Sequence, residues 1–185
     1  MALSRLFIIL SFLIGSNITT FASYIFIPMN EDQTDHLKAY GLDYWVLEQG
    51  AETWWLLNYE GGSFVLPNST SIEKECKARG VSYKVISDAA FNSILTTIND
   101  PENNMEAIKM EKAPRIAVYT PTVNERGEEI NPWDDAVTLV LTYAEIPFDK
   151  VYDREIIEGK LTKYDWLHLH HEDFTGQYGK FYSNF

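Results

Sequence analysis

Apolar positions along the chain fall into short unbroken runs alternating with stretches of helical spacing. Tyr24-Ile-Phe-Ile-Pro28 reads as a first strand buried on both faces. Asn30, with Gln33 three residues on, offers a capping box for a helix to about residue 49. His36, Leu37, Tyr40, Tyr44 and Leu47 mark its spacing, and Gly41 weakens its middle enough to allow a break. Thr53-Trp-Trp-Leu-Leu-Asn-Tyr59 reads as a second strand, Glu60-Gly61-Gly62 as a turn and Ser63-Phe-Val-Leu66 as a short extended piece. Thr70 and Glu73 open a helix over 71–79 that Gly80 ends. Ser82-Tyr-Lys-Val-Ile86 is a strand, and Ser87 caps a helix over 88–98 with Phe91, Ile94, Leu95 and Ile98 on one face. Polar residues 99–104 mark a boundary between two halves, 23–104 and 105–185.

The second half repeats the alternation. Arg115-Ile-Ala-Val-Tyr119 is a strand, and residues 120–130 form a polar loop. Asn131 and Pro132 begin a helix over 133–145. Phe148-Asp-Lys-Val-Tyr152 is a strand, 153–161 a short helical crossover, and Tyr164-Asp-Trp-Leu-His-Leu169 a final strand. Such alternation predicts an α/β fold with a mostly parallel sheet flanked by helices.

Residues 1–22 stand apart from this pattern. Arg5, an apolar run of about ten residues and Thr20-Phe21-Ala22 form a signal-peptide pattern, cleaved after Ala22. The expected location is therefore the periplasm or the extracellular space, with no transmembrane span in residues 23–185. Arg5 is the only charged side chain lost, so the formal charge moves from −12 to −13. That acidic balance argues against nucleic acid as a partner, because phosphate contacts need Lys and Arg. The single cysteine, Cys76, forms no internal disulfide and reads as a buried small hydrophobe on a helix.

Candidate chemistry concentrates after the last strand, in His168-Leu169-His170-His171-Glu172-Asp173. His168 and His170 would share a strand face, about 6.5–7 Å apart at the backbone. With Asp173 they could ligate a metal such as zinc. Alternatively, His170, His171, Glu172, Asp173, Thr175 and Gly176 form a metal-free loop for a small ligand, because open α/β sheets bind ligands beyond the carboxyl ends of their strands. Structural support within the sheet is the third reading. In Asn131-Pro-Trp-Asp-Asp135, two carboxylates already occupy the positive end of the helix, which disfavours a phosphate site.

Four stretches, 36–45, 55–64, 132–147 and 164–178, make the chain resemble a group of exported bacterial proteins labelled asparagine synthetase B. The second half is similar to the opening of a class I glutamine-amidotransferase-like domain. The resemblance implies a flavodoxin-like or amidotransferase-like α/β fold, incomplete at its C-terminus. No catalytic residue carries over. Ala2 stands where a cysteine nucleophile would follow Met1, the Ser-Gly-Gly-x-Asp-Ser loop is absent, and Cys76 has no elbow context. The expected function is small-ligand binding by an exported protein of this group. A metal-dependent hydrolase using His168 and His170, and a non-catalytic envelope binding module, are the alternatives.

Overall fold

The computed structural model describes residues 23–121, 126–129 and 136–169, and its first sheet runs against the expected direction. Strands β1 (Ser23–Ile27), β2 (Thr53–Leu57), β3 (Ser63–Pro67), β4 (Lys84–Ser87) and β5 (Glu106–Met110) form one sheet in the order β4-β1-β3-β2-β5. All four pairings are antiparallel. Helix α1 (His36–Glu48) links β1 to β2, α2 (Thr70–Arg79) links β3 to β4, and α3 (Asp88–Ile98) links β4 to β5. The first six elements follow the split β-α-β arrangement, in which each helical crossover skips one strand position and an antiparallel strand fills the gap.

The mostly parallel sheet is thus corrected for this unit, and the cause is physical. Ile25 and Ile27 face a core with Leu42, Val46, Ile72 and Cys76 of α1 and α2. Phe26 and Val65 face a second core with Phe91 and Ile98 of α3. A sheet covered by helices on both faces demands unbroken apolar strands whichever way they run, so β1 carries the composition of a parallel strand. The decisive element is β3, which turns the supposed extended piece into half of a hairpin with β2. Its connection holds Asn58, Glu60, Gly61 and Gly62 at positive φ. Gly61 is required there, since a Cβ would lie 2.3 Å from the Met29 carbonyl oxygen.

The helix ends follow side-chain caps. Asp35, not Asn30, caps α1 by accepting from the Lys38 N–H at 3.0 Å. Asn30 instead accepts from the Asp32 N–H, an Asx turn. Gln33 is buried, donating to the Pro28 carbonyl at 2.9 Å and accepting from the Ser82 N–H at 2.9 Å. Ser69, one residue before Thr70, caps α2, and Gly80 ends it at φ 70°. Helix α1 runs unbroken through Gly41. Strand β5 lies beyond residue 104 and joins the first sheet at the β2 edge.

Residues 116–169 build a separate three-stranded sheet. Strands β6 (Ile116–Tyr119), β7 (Phe148–Val151) and β8 (Trp166–Leu169) lie in the order β7-β6-β8, all parallel. Helix α4 (Ala136–Ala144) precedes β7; α5 (Asp153–Ile157) and a 3₁₀ turn (Lys160–Lys163) lead to β8. The two units meet where α4 crosses α1. A Cβ on Gly41 would lie 1.7 Å from the Ala144 carbonyl oxygen, so glycine is what lets the two helices approach. Around that contact, Glu145 pairs with Lys38 at 2.7 Å and Arg79 at 3.2 Å, and the Tyr143 hydroxyl donates to Asp35 at 2.5 Å. The Lys38 hydrogen bond holds the Glu145 carboxyl below its ordinary pKa.

Candidate functional site

The chain leaves β6, forms β7 on one side, then returns across β6 to form β8 on the other. Such a reversal opens a crevice at the carboxyl ends of the two strands that flank it, here β6 and β8. In register, Val118 lies beside His168 and Tyr119 beside Leu169. Beyond them the chain passes to Thr120 on one side and His170 on the other.

The described side of this edge is tied together by polar contacts. The Tyr119 hydroxyl donates to Asp153 Oδ1 at 2.5 Å, and its ring packs on Tyr152 with centroids 5.1 Å apart. The Thr120 N–H donates to the Val151 carbonyl at 3.0 Å. Tyr119 and Thr120 are buried, and both follow from their place at the end of the central strand. Tyr119, Tyr152 and Asp153 were not singled out by sequence reasoning. Their signal is positional: each stands at the carboxyl end of a strand or directly after it.

Of the expected metal set, the structure places His168 alone. It is half-buried on β8, its ring edge-on to Trp166 with centroids 6.5 Å apart. Its partners His170 and Asp173 lie outside the described residues, as do His171, Glu172, Thr175 and Gly176. Asn131 to Asp135 also lie outside them. Among the described residues no group of three His, Cys, Asp or Glu is arranged to hold a metal ion, and no helix is long and apolar enough to cross a membrane. Cys76 is fully buried in the first core, and burial pushes its thiol up to about 11. That leaves almost no thiolate at neutral pH and no nucleophile.

A concavity lies at the opposite, amino edge of the parallel sheet. It is a cleft of about 390 Å³ between Tyr44 and Glu48 of α1 and Arg115, Phe148, Lys163 and Tyr164 of the second unit. Arg115 is committed to Asp165, with Nε and NH2 bonded to the two carboxylate oxygens at 3.0 and 3.2 Å. These hydrogen bonds hold the Asp165 carboxyl well below the usual carboxylate range.

No family model matches the chain, and no curated protein or solved structure shows significant similarity to it.

Proposed function

We propose that this is an exported α/β protein of the group labelled asparagine synthetase B, and that it binds a small ligand at the carboxyl edge between β6 and β8. The supporting observation is the β7-β6-β8 order, a reversal of the kind beside which open α/β sheets bind ligands, and from that edge the chain continues into His170, His171, Glu172, Asp173, Thr175 and Gly176. Export follows from the Arg5, apolar-run and Ala22 pattern. On this reading the buried Tyr119, held by its hydrogen bond to the exposed Asp153, forms the fixed wall, and the polar residues after β8 supply the ligand contacts.

The test is a thermal-shift screen of residues 23–185 against a panel of small carboxylates, amides and sugars. Ligand at a hundredfold excess over its dissociation constant should add about 2.7 kcal/mol of stability. His170→Ala and Asp173→Ala should remove that shift while leaving the unliganded midpoint in place. A panel without a hit, or a hit that both variants retain in full, refutes the site.

A further inference from the structure

The amino-edge cleft differs from the carboxyl edge in being built by both units, and its charges can be resolved by subtraction. The Tyr44 hydroxyl donates to the Pro114 carbonyl at 2.7 Å, and the Tyr164 hydroxyl donates to Asp149 Oδ2 at 2.9 Å. Both phenols are therefore occupied, and what they add to the cleft is ring surface, joined by Phe148. Arg115 is neutralised by Asp165 through the paired hydrogen bonds above. Asp149 is engaged by Tyr164. Two charged lining groups then have no hydrogen bond or ion pair among the described residues: Glu48, the last residue of α1, and Lys163, the last residue of the 3₁₀ turn. They carry opposite charges and belong to different units.

We propose that this cleft binds a small zwitterion with an apolar body, its carboxylate on Lys163, its ammonium group on Glu48 and its body against the rings of Tyr44, Phe148 and Tyr164. A simple anion would meet the unpaired Glu48, and a simple cation the unpaired Lys163, so either bears a repulsion that a dipolar molecule avoids. The cleft volume lies at the small end of ligand sites, and unit boundaries are where such sites gather. The cleft and the carboxyl edge lie at opposite ends of the same strands, so this inference stands whether or not the reading of the carboxyl edge does.

Isothermal titration calorimetry of residues 23–185 with L-phenylalanine as probe tests it. Saturable binding is expected, with a dissociation constant on the order of 0.1–1 mM. N-acetyl-L-phenylalanine, which lacks the cation, and phenethylamine, which lacks the anion, should each bind roughly two- to fivefold more weakly. Lys163→Gln and Glu48→Gln alter exposed side chains and should each cost the same factor, with thermal midpoints showing intact folding. Glycyl-phenylalanine in parallel distinguishes a free amino acid from a peptide as the natural source, by which of the two binds more tightly. His170→Ala should leave all these affinities unchanged. No binding of either zwitterion up to about 10 mM, equal affinity for the singly charged analogues, or undiminished binding by the two variants overturns the proposal.

Discussion

Replacing Asp43 by asparagine should make the protein more stable at neutral pH and flatten its response to pH. Asp43 lies on α1 with only 5% of its surface exposed, and its Oδ1 has no hydrogen-bond partner. The Thr53 hydroxyl lies near enough to favour the carboxylate slightly, yet it is itself buried without a hydrogen bond. Lys38 of α1 is committed to Glu145, and Arg79 of α2 to Glu75 and Glu145. Burial therefore dominates, and it raises the carboxyl from 3.8 to about 7. The folded state keeps a proton that the unfolded chain releases. Below the unfolded value both states are protonated and there is no penalty. As pH rises toward 7, stability falls, and above 7 the penalty is complete. A shift of about three units corresponds to roughly 4 kcal/mol, at 1.36 kcal/mol per unit. Urea unfolding of residues 23–185 and of Asp43→Asn at half-unit steps from about pH 4.5 to pH 8.5 measures this. The difference between the two proteins cancels the other titrating groups. It should grow in favour of the variant by roughly 3–4 kcal/mol across that range. Parallel stability profiles would show that the native carboxyl reaches water or a cation, and the reasoning would fail.

Gly41→Ala should destabilise the junction between the units, although alanine favours an isolated helix by about 1 kcal/mol. The new methyl would meet the Ala144 carbonyl oxygen and force α1 and α4 apart, at a cost of roughly 1–3 kcal/mol or more; a raised urea midpoint would contradict this. Cys76 should resist thiol reagents in the folded protein at pH 8 and react fully in urea, because burial suppresses its thiolate. Rapid labelling of the native state would place the thiol in a different environment. Purified protein should contain well under one zinc per chain by elemental analysis. A stoichiometric zinc lost in His170→Ala would replace the ligand reading with the metal-dependent hydrolase.

The helices and most strands were legible because caps and apolar spacing are local. Ser87, Gly80 and the Phe91 to Ile98 face act within a turn or two of where they stand. Strand direction was not, because it depends on which strands become neighbours. Tyr24 pairs with Pro67, and Thr53 with Met110, across long stretches of intervening chain. Strand β5 escaped notice because Glu106 and Lys109 interrupt its apolar residues, as suits a sheet edge. Gly41 looked like a weak point when judged by helix propensity alone; its contact partner, Ala144, is distant in sequence. The carboxyl-edge location was legible from element order. The Tyr119–Asp153 pair was not, since it joins residues 34 positions apart.

The crossing of α3 beneath the first sheet has a mechanical consequence. Strands β4 and β5 are the two outer edges of five, and α3 with residues 99–105 connects them. Its 11 residues extend about 16 Å, close to the roughly 19 Å spanned by four strand spacings. The helix therefore lies across most of the sheet's width, under the strands between the two rims. Peeling either rim drags Phe91 or Ile98 from the core beneath the other strands, so the rims lose their independence. Slow hydrogen exchange should accordingly extend to β4 and β5 rather than fade toward the edges, giving the sheet a single opening event instead of two frayed ends.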